Sequence, residues 1–304
     1  MMPSCFIFHG CLTFAAPSGN DFDMDKMFFS PVVVPIRKPH TQAWWFVFRM
    51  QKMLVYKEKS VSRIPLAVTL KELGLRSSYE RPLGDLKGIR CVAAYLPKEI
   101  EPPAHMEFRG LRGLFGELNE EQYGMAVRAL SIINWDNTHQ FCSRCGSKVQ
   151  RRNDILAQQC LTCKFTMFPR ISPAVIVLVE RGKKVLLARA SRFREELYSV
   201  IAGFVEPGET LEETVMREVK EETGIDIKDI RYFGSQPWPF PDSLMIGFIA
   251  KYAGGKIAID GDEIVEAKWF SADQLPNIPG KISIARSLID WFVAKHGKKT
   301  VNSR

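Results

Sequence analysis

The chain has 304 residues, 46% of them hydrophobic and 25% charged, so it can form two domains with sizeable cores and is too apolar for wholesale disorder. Its net charge of +8 favours polyanionic partners, phosphates and nucleic acid among them. No apolar run reaches the roughly 18 residues of a membrane span, so no membrane partner is expected, and the seven cysteines are not spaced as a secreted disulfide framework.

Residues 1–27 read as an unassigned N-terminal extension. Met1 to Ala16 is apolar but has no positive n-region, and Pro17, Ser18, Gly19 and Asn20 break it. Patterning begins near Phe28, so the true start of the chain is expected at Met24 or Met27. Residues 28–138 hold strand-like runs at 32–34, 44–48 and 91–96, then a helix over 120–135 in which Val127, Leu130 and Ile133 fall near helical spacing. This reads as a small α+β domain that announces no activity. Residues 139–169 carry the paired cysteines. Residues 170–304 alternate strands, expected at 174–180, 184–189, 198–203, 230–234, 243–252 and 265–270, with helices over 210–222 and 282–295. No internal repeat is visible. Lys295, Lys298, Lys299 and Arg304 read as a solvated basic tail.

Cys142 and Cys145, then Cys160 and Cys163, each place two thiols on a tight turn. Four thiolates satisfy tetrahedral Zn²⁺ with no open position, which marks a structural site, one ion per chain. A two-stranded ribbon can span the gap between the pairs. Four free cysteines, or an iron–sulfur site, are the other readings. Such pairs in a large chain point to a reducing compartment, so the expected location is cytoplasmic.

The stretch from Gly203 to Ile225 carries the most chemistry. Thr210 and Glu213 fit a capping box, Leu211, Val215 and Val219 make a buried stripe, and Gly224 sits where a left-handed residue ends the helix. Glu218, Glu221 and Glu222 fall at helical neighbour spacing. Like charges so close call for a cation, and Mg²⁺ or Mn²⁺ suits oxygen ligands. Such an ion can stabilise charge developing on a phosphoryl group. A plain acidic, solvated helix face is the competing reading.

Downstream, Gln236, Pro237, Trp238, Pro239, Phe240, Pro241, Asp242 and Ser243 alternate prolines with aromatics. The prolines stiffen a loop, which holds Trp238 and Phe240 ready for a flat ring or for the core. Gln236 and Ser243 could bond a ribose or phosphate.

The first stretch resembles the Nudix signature at each defined position: Gly203, five residues, Glu209, seven residues, Arg217-Glu218, aliphatic Val219, one residue, Glu221-Glu222, one residue, Gly224 and aliphatic Ile225. The resemblance implies an α/β/α sandwich around a mixed sheet for residues 170–304, a catalytic role and metal ligation for Glu218, Glu221 and Glu222, and structural roles for Arg217 and Glu209. The second stretch resembles the motif of the NADH pyrophosphatase branch of the same superfamily, whose members are also described as NAD-capped RNA hydrolases. That branch has a four-cysteine zinc ribbon before the Nudix domain, cleaves the pyrophosphate of NAD(H) or of an NAD cap on RNA, and usually acts as a homodimer. It further implies metal contacts at Ala202 and Glu263. Substrate contacts are implied at Arg112, Phe204, Ala285 and across 236–243. Phe168 stands where many members have tyrosine, which keeps stacking and loses a hydroxyl bond. Competing readings are an ADP-ribose or diadenosine pyrophosphatase, and a zinc-ribbon nucleic-acid-binding regulator whose Nudix domain only senses a nucleotide.

Overall fold

The computed structural model describes residues 41–57, 61–192, 196–259 and 261–297. The expected extension at 1–27, the strand at 32–34, and Lys298, Lys299 and Arg304 lie outside these residues.

The first unit is a six-stranded sheet of β1 (Ala43–Arg49), β2 (Lys52–Tyr56), β3 (Leu66–Ala67), β4 (Tyr79–Leu86), β5 (Ile89–Tyr95) and β6 (Met106–Gly110), followed by α1 (Glu120–Thr138). Asn119 caps α1 by accepting the Gln122 N–H. The helix lays Met125, Ala129, Leu130 and Ile133 onto Phe46, Phe48 and Leu83. The ribbon follows as three short strands, β7 (Val149–Arg151), β8 (Gln158–Cys160) and β9 (Thr166–Met167), one more than the expected two.

The second unit contains β10 (Ser172–Arg181), β11 (Lys184–Ala190), β12 (Ile201–Phe204), α2 (Leu211–Thr223), β13 (Asp226–Trp238), β14 (Ser243–Gly254), β15 (Ile264–Ser271) and α3 (Ile284–His296). The sheet order is β13-β14-β10-β11-β15, with β12 on β10. β10 and β14 run parallel in an otherwise antiparallel sheet. α2 packs Val215 and Val219 against Val175, Val177 and Phe248 on one face. α3 packs Leu288, Ile289 and Phe292 against Ile176, Leu178 and Ile249 on the other. Both faces of β10 are thus covered, which is why its sequence is a continuous apolar run. This is the mixed-sheet α/β/α sandwich.

Three local expectations are corrected. Residues 198–200 belong to no strand and reach only an isolated bridge between Ala188 and Ser199. β13 absorbs Ser235 to Trp238, expected as loop. It lies at the edge of the sheet, where Pro237, lacking an N–H, is tolerated. Lys295 is not solvated tail: with His296 it closes on Glu180, which is only 5% exposed, because a buried carboxylate needs partners.

The absence of a repeat is also corrected. The first unit repeats the second strand for strand. β1 pairs antiparallel with β2 and β3 and parallel with β5, as β10 pairs with β11, β12 and β14. The outer strands β4 and β6 match β13 and β15. The register shift between Pro82 and Gly84 recurs between Tyr232 and Gly234. α1 takes the place of α3. Where the second unit has α2, the first has a single 3-10 turn, Leu70–Leu73.

Asp136, near the end of α1 and with a side chain 2% exposed, joins this unit to the ribbon. Its carboxylate takes bonds from Tyr79 at 2.7 Å, Arg81 at 2.6 Å and Gln158 of the ribbon at 2.8 Å. Burial, reinforced by the Asp136 charge, pushes the Tyr79 hydroxyl pKa far up and keeps it a donor. Asp136→Ala leaves Arg81 buried without its charge partner, and unfolding in urea is expected to show a loss of about 3–5 kcal/mol. A loss below about 1 kcal/mol would mean that water replaces the carboxylate.

Candidate active site and zinc ribbon

The carboxylate helix is built as its sequence implies. Thr210 and Glu213 form the capping box, and Gly224 closes the helix at φ 71°. Ahead of it, Glu209 accepts from Arg217 Nε at 2.5 Å and Nη2 at 2.9 Å, from the Glu206 N–H and from Thr214 Oγ1. Arg217, joined by the Glu206 N–H, holds the Glu209 carboxyl down at about 2. The stabilisation from this pair is therefore complete above the ordinary carboxylate range and is lost as pH falls from there towards about 2. Arg217 also donates to the Phe204 carbonyl at 3.0 Å and to Glu218 and Glu221 at 2.8 and 3.1 Å. Arg217 and Glu209 thus tie β12, the loop and the helix together.

α2 and α3 flank one cavity of about 1200 Å³. Glu218, Glu221, Glu222 and Glu263 all line it. Glu222 is 8% exposed, and the side chains of Glu218 and Glu221 are 12% and 62% exposed. Burial raises the Glu218 pKa; Arg217 opposes this, while Glu221 and Glu263 add to it. Carboxylates gathered at one wall around the Arg217 guanidinium fit a hard divalent cation, which keeps several waters and needs few protein ligands. The glutamates remain an open set: among the described residues the four cysteines are the only group of three or more whose ligand atoms lie within 4.8 Å of one another.

Gly203 explains a fixed position of the signature. A Cβ there would sit 1.9–2.2 Å from the Glu218 carboxylate. Gly203→Ala must push that carboxylate aside, and the expected result is a fall in turnover on the order of 10²-fold with the fold retained. Steady-state rates and thermal melting check it. A rate within about threefold of the parent would show that Glu218 can relocate harmlessly.

Ala202 and Phe204 of β12 line the cavity, as does Ala285 in the first turn of α3. Phe204 is 57% exposed, an unusual position for a phenylalanine. Trp238 and Phe240 also line it, with ring centroids 5.3 Å apart and planes at 76°. Arg112, reaching in from the first unit, places its guanidinium 4.3 Å from the Phe240 ring centroid and 5.4 Å from that of Trp238. Asn134 of α1 donates to the Pro239 and Pro241 carbonyls, so the first unit anchors this hairpin.

Gln236 and Ser243 line the cavity, but the Gln236 amide is already committed. Its Nε2 donates to the Ile282 carbonyl and its Oε1 accepts the Ile284 N–H, both at 2.8 Å. It clamps the start of α3 rather than offering a free amide to ribose or phosphate. Pro237, Pro239, Pro241 and Asp242 are not among the lining residues. Nor is Phe168, which is 65% exposed. Sequence reading missed Arg192, Glu206 and Ile282 to Ile284, which do line it. Glu206 falls in an unconstrained gap of the signature. The 282–284 segment reads only as a helix start, and no motif marks it.

In the ribbon, Cys142 and Cys163 sulfurs stand 3.7 Å apart, and Cys145 lies 3.5 Å from both Cys160 and Cys163. A tetrahedron with Zn–S bonds of about 2.3 Å has sulfurs roughly 3.8 Å apart. The spacing fits one zinc ion and is far too long for disulfides. Ser147, through its amide first and its hydroxyl second, draws the Cys145 thiol down to about 6 and favours the thiolate a metal needs.

Comparison with known proteins agrees with this geometry. A family model described as NUDIX domain matches residues 170–292. One described as NADH pyrophosphatase-like rudimentary NUDIX domain matches 42–135, and one described as NADH pyrophosphatase zinc ribbon domain matches 137–164. The chain is 47% identical over 226 residues to a Pseudomonas putida protein named NAD-capped RNA hydrolase NudC, covering 74% of this chain and 82% of that one. The Stutzerimonas stutzeri protein of the same name is 42% identical over the same shares. Among solved structures, a NUDIX hydrolase from Nitrosomonas europaea is 26% identical, with a TM-score of 0.45 over 52% of this chain and 92% of that one. Signature helix, ribbon and degenerate first unit converge: the chain belongs to the Nudix hydrolase family, in the branch that joins an NADH pyrophosphatase-like domain and zinc ribbon to a Nudix domain.

Proposed function

We propose that the chain hydrolyses the pyrophosphate of NAD(H), giving nicotinamide mononucleotide and AMP, and removes NAD caps from RNA to leave a 5′-monophosphate end. One observation carries this reading. The Nudix carboxylates and the Arg112–Trp238–Phe240 cluster face the same cavity of about 1200 Å³, which is roomy enough for two nucleotides. In the reaction a water oxygen bonds to one phosphorus, the bridging P–O bond breaks, and the leaving phosphate keeps the electron pair. Glu218, Glu221, Glu222 and Glu263 would hold Mg²⁺ or Mn²⁺, with a backbone contact from Ala202. When bound, the ion supplies positive charge against the charge developing on the phosphoryl oxygens. Arg217 keeps Glu218 and Glu221 in place. Phe204 offers a ring on which nicotinamide can stack, and Ala285 and Ser283 line the same cavity.

Incubation of the purified protein with NADH and Mg²⁺ or Mn²⁺, followed by product analysis, tests this. Equal or faster turnover of ADP-ribose or diadenosine pyrophosphates would transfer the assignment to those substrates. Binding without turnover would favour the nucleotide-sensing regulator. The complete carboxylate set weighs against that outcome, since a sensor has no need of it. Comparing kcat/KM on NADH with that on NAD-capped RNA decides the principal substrate.

A homodimer belongs to the same reading. Phe141, Leu161, Phe168 and Ile171, between 48% and 65% exposed around the ribbon, support a covered surface there, and analytical ultracentrifugation tests it. No helix among the described residues is long and apolar enough to cross a membrane. The reduced cysteine pairs support a cytoplasmic site, which fractionation of the source cells tests.

A further inference from the structure

The hairpin between β13 and β14 leans on the first unit. Its tip, residues 239–242, carries Pro239 and Pro241, and Pro237 precedes it in β13. Each proline removes a backbone donor, so the tip has few N–H groups with which to close on itself. Its own unit supplies the Phe240 N–H, donated to the Trp238 carbonyl at 2.8 Å, and the Ser172 N–H, donated to the Asp242 carbonyl at 2.9 Å. The Pro239 and Pro241 carbonyls, one on either side of Phe240, are met from α1 instead. Asn134 Nδ2 lies 3.4 Å from each and donates to both. Two acceptors can be matched only by the amide nitrogen, so this side chain has one useful orientation.

The contact continues through the rings. Phe240 packs against the core of the first unit. Arg112, in the 3-10 turn Leu111–Leu114, stands 4.3 Å from the Phe240 centroid and 5.4 Å from that of Trp238. Trp238 meets Phe240 edge-on at 5.3 Å. All three line the catalytic cavity, and Asn134 does not. A shift of the tip therefore moves part of the cavity wall, and Asn134 can reach the substrate only through that wall. At the other end of the same stretch, Gln236 holds the start of α3. Two amides thus fix the stretch, one to α3 of its own unit and one to α1 of the other. The carboxylates stand apart from this system, since they sit on α2 and Arg217 holds Glu218 and Glu221.

We propose that Asn134 is a positioning residue for dinucleotide binding. By holding the Pro239 and Pro241 carbonyls it keeps Phe240 and Trp238 beside Arg112, so that a base of the substrate meets an aromatic wall already in place. The first unit, which has a single 3-10 turn where the second has α2, then sets the affinity of the cavity whose chemistry the second unit performs. Its effect falls on binding and leaves the hydrolytic step alone. This role rests on the reading of the cavity as a dinucleotide site and not on which dinucleotide is cleaved.

The test is calorimetric titration of the full-length protein with NADH and with ADP-ribose, without added Mg²⁺ or Mn²⁺, beside steady-state rates with the metal and thermal melts. Asn134→Leu keeps the size of the side chain and removes the donor. Asn134→Asp keeps the shape and sets a carboxylate against the two carbonyls. In both variants the Kd of the dinucleotide that the parent binds is expected to rise about tenfold, the scale of one lost contact, with KM following it. The kcat should stay within about threefold of the parent, and melting within a few degrees. Asn134→Asp decides if Asn134→Leu fails to fold. A parent that binds ADP-ribose and not NADH, or binds without turnover, fails the function proposed above and leaves this role to be judged on the titrations. A Kd within about twofold of the parent in both variants, a fall in kcat at unchanged Kd, a joint fall of kcat, affinity and melting temperature, or a parent that binds neither dinucleotide each overturns the proposal.

Discussion

Glu222→Gln is expected to lower NADH turnover on the order of 10³-fold while the protein melts within a few degrees of the parent. The side chain is 8% exposed and lines the catalytic cavity, so the amide keeps its shape and packing. What it loses is the negative charge. The other glutamates then present one charge fewer to a divalent ion and to any proton that must be accepted. Rates on NADH at saturating Mg²⁺ or Mn²⁺, read beside a thermal melt, separate the two effects. Near-parental turnover in a folded variant would remove Glu222 from the catalytic set and leave Glu218 and Glu221 to carry it.

Cys142→Ser is expected to act in the opposite way, on the fold before the chemistry. Cys142 is 3% exposed, and its sulfur faces Cys163 across the ribbon centre at 3.7 Å. Serine stays protonated at neutral pH and is a poor zinc ligand. Three strands of two or three residues cannot bury a core of their own, so zinc binding is a large part of the ribbon's folding free energy. Loss of the ribbon also uncovers Asp136, which Gln158 and Arg151 help to close. Zinc content should fall from one per chain to well below that. A deficit of several kcal/mol would lower the melting temperature by roughly 10 °C, at about 2–4 °C per kcal/mol. Full zinc content with an unchanged melt would show that the remaining thiols suffice.

Much of the site is local in the chain, and that part is legible in the sequence. The capping box, the stripe of Leu211, Val215 and Val219, the terminal Gly224 and the spacing of the glutamates all lie within one helix and its caps. Helical geometry alone decides which of them meet. The cysteine pairs are similarly local, because a two-residue gap already aims both sulfurs at one point.

Long-range placement was decided only by the tertiary structure. Gln236 looked available for a ligand, since nothing near it in sequence shows that Ile282 and Ile284 will take both ends of its amide. Phe168 is assigned a stacking role only by resemblance, and it stands 65% exposed and outside the cavity lining of the single chain. Arg112 could be assigned only by resemblance until the sandwich brought it over Trp238 and Phe240. The duplication left no trace readable by eye, because equivalent positions, such as Trp44 opposite Leu66 and Ile176 opposite Ala202, share only a place in the strand pairing. Pairing register constrains which way a side chain points, and it tolerates almost any residue that fits the space. The sequence by itself thus determined the carboxylate helix and the thiolate knuckles, whose chemistry needs only neighbours a turn away. The shape of the cavity, the partners of its walls and the repeat of the fold in the first unit were decided where distant strands meet.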